Sequence, residues 1–154
     1  MKSTKLFFLA FAASAAVFAG ELDKALLRGS TDKRAIDYAP GEEMVFTLKL
    51  DRVQKLPAGS WFIQWNRYGD DGKTFGDKVP ADLSKPVVIK TSLDRPGFVR
   101  VRAQLVDAQG RAQKRIFFDG GAGVQIEKLQ SHPEPKDFDA FWAKQAERLK
   151  LVPI

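Results

Sequence analysis

Few residues of this chain are placed to carry out acid–base or nucleophilic chemistry. A serine hydrolase needs a serine on a sharp turn, typically in a Gly-x-Ser-x-Gly motif, and a histidine within its reach; the sequence contains no such motif. The single histidine, His132, follows Ser131 in an extended, proline-bounded segment, where adjacent side chains point to opposite sides. The chain has no cysteine, and Glu127 and Glu134 lack a visible carboxylate partner. We therefore predict no catalytic residue.

Metal binding and phosphate binding are also poorly supported by the spacing of the residues. Acidic residues are concentrated in the segment 69–84, but their spacing does not match the EF-hand pattern for calcium. The glycine-rich segment 120–123 lacks the Lys-Ser/Thr pair that completes a phosphate-binding loop. We predict no metal site and no cofactor. The aspartates considered as calcium ligands are Asp70, Asp71, Asp77 and Asp82.

Three aromatic residues, Trp61, Trp65 and Tyr68, are the candidate substrate-binding residues, because aromatic faces can stack on sugar rings. Under a two-residue period, Trp61 and Trp65 share the face of Ile63. A tryptophan on an inner strand is also a common core anchor of immunoglobulin-like sandwiches. The two tryptophans thus have two interpretations, core anchors or a carbohydrate platform. Tyr68 lies nearer the following loop and is the freest of the three.

The elements that would position these residues are predicted to be strands separated by short turns. Strands without intervening helices indicate an all-β fold, an immunoglobulin-like β-sandwich over residues 20–118. The segment 69–84 has no clear period and is predicted as a loop. Alternating apolar residues predict strands over 44–50, 61–66, 87–93 and 98–105, and weaker patterns suggest strands over 31–38, 111–118 and 124–129.

Residues 119–135 are predicted to form a hinge and a linker. The glycine-rich segment 119–123 is interpreted as the hinge. In the segment 131–135, His132 and Glu134 each precede a proline, which disfavours the α conformation and favours a stiff, extended linker. An amphipathic α-helix is then predicted from Pro135 or Lys136, within the segment 136–154.

This helix carries an aromatic stripe that needs a partner surface. We predict that Phe138, Phe141, Trp142 and Leu149 are domain-docking residues, since helical spacing places them on one face. The helix either folds back on the sandwich or belongs to a further domain.

The first nineteen residues predict a secretory signal peptide. Lys2 and Lys5 precede an apolar run over 6–17, and Val17 and Ala19 suit the −3 and −1 positions of a cleavage site. The apolar run is shorter than the ~20 residues of a spanning helix, so we expect no membrane anchor after cleavage. An exported protein without cysteine suits the bacterial periplasm or exterior. The net charge of +6 is only weakly basic, and we predict no nucleic-acid partner.

One set of residues near the carboxyl end forms a specific motif: Pro133, Pro135, Asp137, Phe138, Asp139, Phe141, Trp142, Gln145, Leu149, Val152 and Pro153. This motif resembles the start of the catalytic domain of the acetylxylan esterase / cephalosporin-C deacetylase family of α/β-hydrolases. The resemblance implies a Ser-His-Asp triad and an oxyanion hole well downstream of this helix, so no catalytic residue is carried over.

The resemblance implies a non-catalytic N-terminal accessory domain of a secreted carbohydrate-active deacetylase. Residues 136–154 would then begin the hydrolase domain, and that domain would be the partner of the sandwich. Acetylated polysaccharide would be the substrate of the hydrolase domain. The residues themselves leave open a stand-alone carbohydrate-binding module or an adhesion domain.

Overall fold

The computed structural model describes residues 22–152. The predicted signal peptide over residues 1–19 lies outside the described residues. No helix among residues 22–152 is long and apolar enough to cross a membrane. The elements are β1 (Leu26–Thr31), β2 (Met44–Asp51), β3 (Trp61–Gly69), β4 (Thr74–Pro80), β5 (Val87–Thr91), β6 (Gly97–Asp107), β7 (Ala112–Val124), a 3₁₀ turn (Ile126–Lys128) and the helix α1 (Phe138–Lys150).

The strands form two antiparallel sheets that pack face to face. One sheet has the order β1-β2-β5 and the other has the order β4-β3-β6-β7. β4 belongs to the sheet of β3 because a tight turn joins them, in which Gly72 N–H donates to the Gly69 carbonyl over 2.9 Å. The prediction of an all-β sandwich followed by one helix is confirmed.

The core is built from alternate residues of the strands that show the clearest two-residue period. On β2 the inward row is Met44, Phe46, Leu48 and Leu50, and all four are buried. On β6 the row from Val99 to Leu105 is buried in the same way. Because a strand sends successive side chains to opposite faces, one such row from each sheet is enough to close an apolar layer between them.

The first strand lies earlier in the chain than the sequence predicted. The pattern placed it over 31–38, but β1 is Leu26–Thr31 and the following residues form a loop. That loop is held by the buried Tyr38, whose hydroxyl donates to Asp32 Oδ1 over 2.7 Å. Burial and this hydrogen bond raise the pKa of Tyr38 to about 12.

Three sequence predictions, two of irregular segments and one of a strand, are wrong. The predicted loop over 69–84 contains β4, an edge strand whose side chains are nearly all exposed, so no apolar alternation marked it. The predicted hinge over 119–123 is the last part of β7, which pairs with β6 as far as Val124. The strand predicted over 124–129 is absent from the described chain: β7 ends at Val124 and a 3₁₀ turn follows.

Gly29 of β1 and Gly120 of β7 are explained by close packing around Phe118. A Cβ atom added at Gly29 would overlap the Phe118 ring, and one added at Gly120 would lie 2.5 Å from its Cζ atom. The ring therefore occupies the space that side chains on both strands would fill. A glycine in a strand often marks such a close approach.

Substituting alanine for Gly29 is expected to lower the free energy of unfolding by about 1–3 kcal/mol through overpacking against Phe118. The cost should be smaller in a chain that also carries Phe118→Leu, because the smaller side chain vacates part of the contested space. Urea unfolding of the two single variants and the double variant measures the coupling. Additive effects of the two substitutions would show that Phe118 does not determine the need for Gly29.

Candidate functional site

The structure separates the three candidate substrate-binding aromatics between two faces. Trp61 and Trp65 are half-buried and pack against the core. The Trp61 indole N–H donates to the Pro57 carbonyl over 2.9 Å, and the Trp65 ring meets Phe75 edge to face, with 6.1 Å between centroids. Both tryptophans therefore anchor the inner face, while Tyr68 lies on the outer face with 41% of its surface exposed.

The outer face of the β4-β3-β6-β7 sheet contains a concave site that we call the outer groove. Its volume is about 390 Å³, and its lining comes from β3, β6 and β7. Strand pairing brings Gln64, Gln104 and Phe117 into one row across the three strands, and Asn66, Arg102 and Asp119 into the next. The side chains that line the groove include Gln64, Asn66, Tyr68, Gln104, Gln113 and Phe117.

The charges beside the outer groove are mostly positive. Arg100 forms two hydrogen bonds with Asp119, at 2.7 and 2.5 Å, and Arg102 Nε lies 3.3 Å from the same carboxylate. The hydrogen bond from Arg100 lowers the pKa of Asp119 and raises that of Arg100. Lys114 also lines the groove, and Lys78 pairs with Gln64 in the sheet register. This surface thus carries four positively charged side chains and one carboxylate, Asp119, which contacts both arginines.

The second candidate surface is the aromatic face of α1, formed by Phe138, Phe141 and Trp142. The Trp142 ring meets both phenylalanine rings edge to face, with centroid distances of 6.3 Å to Phe138 and 5.4 Å to Phe141. The three side chains are 39%, 51% and 55% exposed in the order Phe138, Phe141 and Trp142, and Leu149 is 71% exposed. No residue of α1 is buried. The rings shield one another and leave a continuous apolar surface.

The charged residues of α1 are divided by sign between its two ends. Asp139 lies in the first turn, and Arg148 and Lys150 lie in the last, so each charge complements the helix dipole. The helix begins at Phe138, two or three residues later than predicted, and the Phe138 N–H donates to the Pro135 carbonyl over 2.9 Å. The preceding residues 129–135 form no regular element.

The aspartates considered as calcium ligands make separate local contacts. Asp70 accepts the Phe98 N–H, Asp71 binds Arg67, Asp77 accepts the Lys78 N–H and Asp82 accepts the Ser84 N–H. Among residues 22–152 no three histidine or acidic side chains come close enough to hold a metal ion. His132 and Ser131 lie exposed in the irregular segment before α1.

Sequence reasoning missed Arg67, the one charged residue in the described chain that is fully buried. It continues the inward row of Trp61, Ile63 and Trp65 at the same two-residue period, and it precedes Asp71 by four residues. Arg67 Nη1 lies 2.6 Å from Asp71 Oδ1, and the Asp71 side chain is only 9% exposed. The sequence pattern that could have predicted this buried ion pair is an arginine at an inward position of a strand, followed by an aspartate in the next turn.

Comparisons with known proteins add little to this geometry. No protein-family model and no curated protein matches the chain. A solved structure described as Northeast Structural Genomics Consortium target SoR45 is similar to it at 14% sequence identity, covering 73% of this chain and 94% of that chain. The TM-score of 0.34 is too low to support an argument about fold or function. The protein is an all-β sandwich with one carboxyl-terminal helix.

Proposed function

We propose that this protein is the non-catalytic accessory domain of an exported carbohydrate-active deacetylase of the acetylxylan esterase type. In this proposal α1 docks on the hydrolase domain through Phe138, Phe141 and Trp142. The observation that carries the proposal is the exposure of three aromatic rings on one helix, with Trp142 packed edge to face against both phenylalanines.

The stability of α1 supports a docking role. Helices shorter than ~12–15 residues are marginal in water, and most helical stability in proteins comes from packing an apolar face. α1 has 13 residues and none of them is buried. A partner surface that covers the aromatic face would supply the missing packing, at about 1.5–3 kcal/mol for each large apolar side chain that becomes fully buried.

The choice of a hydrolase domain as the partner rests on the resemblance of the helix and its proline-rich approach to that enzyme family. Asp137, Phe138, Phe141 and Trp142 belong both to the motif that carries the resemblance and to the start of the helix. Under the proposal, the residues that make the motif specific are the ones that the hydrolase domain covers. The outer groove lies on the sandwich and shares no residue with α1.

The first test is to read the gene beyond codon 154. A reading frame that encodes a Gly-x-Ser-x-Gly motif in an α/β-hydrolase sequence is expected. A reading frame that stops, or that encodes an unrelated domain, would overturn the proposal.

The second test measures docking between residues 20–154 and a separately produced hydrolase segment that starts after residue 154, by isothermal titration calorimetry. Replacing Trp142 or Phe141 by alanine should weaken binding about 30-fold, because truncating a central aromatic typically costs about 2 kcal/mol. Replacing the exposed Lys144 by alanine is the matched control on the same helix. Self-association of the chain through the aromatic face, with no affinity for the hydrolase domain, would favour an adhesion domain instead.

A further inference from the structure

The two aromatic residues of the outer groove are spaced for a chain of linked rings. Tyr68 lies on β3 and Phe117 on β7, with β6 between them, and they are 41% and 58% exposed. Strand pairing aligns Phe117 with Gln64 through Gln104, and Gln64 precedes Tyr68 by four residues on β3. From the strand rise and strand spacing, their Cα atoms are about 16 Å apart diagonally across the sheet. This length suits an oligosaccharide and exceeds a single sugar ring.

The groove between the two aromatics is lined by side-chain amides. Gln64, Asn66, Gln104 and Gln113 are all half-buried and contribute to its lining. Within residues 22–152, no hydrogen bond to another residue uses these four side chains. Their polar atoms are therefore available to a ligand.

The type of these polar groups favours sugar hydroxyls over phosphates. An amide both donates and accepts hydrogen bonds, as a hydroxyl does, whereas an ionised phosphate oxygen only accepts. An amide NH2 group can donate to a phosphate, but the amide oxygen then has no partner there, whereas sugar hydroxyls can pair with both groups. The amides therefore match a polysaccharide more fully than a phosphate backbone.

The charge of the site indicates which polysaccharide it fits. Arg102 and Lys114 line the groove, Arg100 and Lys78 lie beside it, and Asp119 neutralises only part of this charge. The guanidinium of Arg102 contacts Asp119 through Nε at 3.3 Å. An arginine fork matches the geometry of a carboxylate, and hydrogen bonds between ionised partners are the strong ones. The complementary ligand is a sugar chain that carries carboxylates.

From these observations we propose that the outer groove binds a polysaccharide bearing uronic-acid carboxylates. The sugar rings stack on Tyr68 and Phe117, their hydroxyls bond the amides, and a carboxylate meets Arg102. The site lies on the sandwich and shares no residue with α1. The inference goes beyond the proposed function and holds whether or not a hydrolase domain docks on the helix.

The test uses glucuronoxylan, with the same polymer after chemical reduction of its carboxyl groups, in affinity electrophoresis and calorimetry. The wild-type protein should bind glucuronoxylan roughly tenfold more tightly than the reduced polymer, because one charge-assisted hydrogen bond is lost. Tyr68→Ala and Phe117→Ala should weaken binding of both polymers, roughly tenfold each. Arg102→Gln should weaken binding of glucuronoxylan alone.

The controls separate a specific site from general effects. Val88→Ala removes exposed apolar surface, and Lys90→Gln removes a charge, both on β5 of the other sheet, and each should leave the affinity unchanged. Tyr68→Phe keeps the stacking ring and should keep most of the affinity, which guards against a loss caused by misfolding. Alanine substitution of Phe138, Phe141 and Trp142 should also leave it unchanged, so this result is independent of hydrolase docking.

Three outcomes would overturn the inference. Glucuronoxylan fails to bind the folded protein; the Arg102→Gln variant distinguishes the two polymers as well as the wild type does; or a single-stranded oligonucleotide binds more tightly than glucuronoxylan and competes with it. The last result would assign the groove to nucleic acid.

Discussion

Replacing Arg67 by methionine is expected to lower the free energy of unfolding by about 3–5 kcal/mol, because it leaves a nearly buried carboxylate without its partner. Arg67 is 1% exposed. Its guanidinium donates to both carboxylate oxygens of Asp71, at 2.6 and 3.0 Å, and to the Lys73 carbonyl at 2.8 Å. It also donates to Thr91 Oγ1 and to the Ser92 carbonyl. All of its hydrogen-bonding capacity is thereby used.

The position of Arg67 explains why the expected effect is large. Arg67 lies on β3, and Thr91 ends β5 in the opposite sheet, so the side chain ties the two sheets together. It also holds the turn between β3 and β4 through Asp71 and Lys73. A methionine fills much of the volume but supplies none of the donors, and buried acceptors that lose their donors carry a desolvation cost.

The matched control is Arg100→Met, which removes an equally short ion pair from an exposed site. Arg100 Nη2 lies 2.5 Å from Asp119 Oδ2, but the Arg100 side chain is 57% exposed. Exposed pairs typically contribute about 0–1 kcal/mol. Denaturant unfolding monitored by tryptophan fluorescence compares the two variants. If Arg67→Met costs no more than Arg100→Met, the buried network does not hold the sheets together.

The interior of the sandwich was predictable because it follows the two-residue period of its central strands. The alternation of Met44 to Leu50 on β2 and of Val99 to Leu105 on β6 identified the buried rows residue by residue. Both strands have neighbours on each side, in the orders β1-β2-β5 and β3-β6-β7. A strand that is covered on one face and solvated on the other must alternate apolar and polar residues. The sequence therefore indicates which side chains of the strand face the core.

The edges and the close contacts were not predictable from the same pattern. β4 is an edge strand with little buried surface, so nothing in its side chains required alternation. The glycines of β7 were predicted to form a flexible hinge, but they lie in a strand where the neighbouring backbone leaves no room for a side chain. A Cβ atom at Gly121 would overlap the Val99 carbonyl oxygen across the strand pair. Glycine marks both flexibility and close approach, and only the pairing of β6 with β7 distinguishes the two.

The outer groove depends on relationships that a linear pattern does not contain. Tyr68 was identified as a freer aromatic, but Phe117 and Gln113 join it only through the register of β7, which shifts near Gln104. The aromatic face of α1 was identified in full from helical spacing, because Phe138, Phe141 and Trp142 are near neighbours in one helix. Local periodicity predicts surfaces within an element and not those assembled across several strands.

The stability of the fold is expected to decline in acid, and Asp71 is a principal cause. The hydrogen bond from Arg67 is the largest of the effects that hold the pKa of Asp71 below its ordinary value, and the Lys73 N–H adds to it. Asp32 behaves alike, since the hydrogen bond from Tyr38 lowers its pKa, with a further contribution from the Val45 N–H.

The sign of the effect follows from proton linkage. A carboxylate whose pKa is lower in the folded state favours folding above its unfolded pKa of about 3.9, and this contribution disappears as the pH falls through the folded value. The melting temperature should therefore change little between about pH 7 and pH 5 and should fall progressively from about pH 4 towards pH 2. Circular dichroism melts across this range measure the decline.

Removing the Asp71 carboxylate should lower the stability of the fold at neutral pH and reduce its dependence on acid. The Asp71→Asn variant should be less stable than the wild type at pH 7, because Arg67 keeps a buried charge without its counter-ion. Its melting temperature should also depend less on pH below about 4, since one titrating group is gone. The two melting curves should therefore converge in acid. Parallel curves across the whole range would show that protonation of Asp71 does not contribute to acid unfolding.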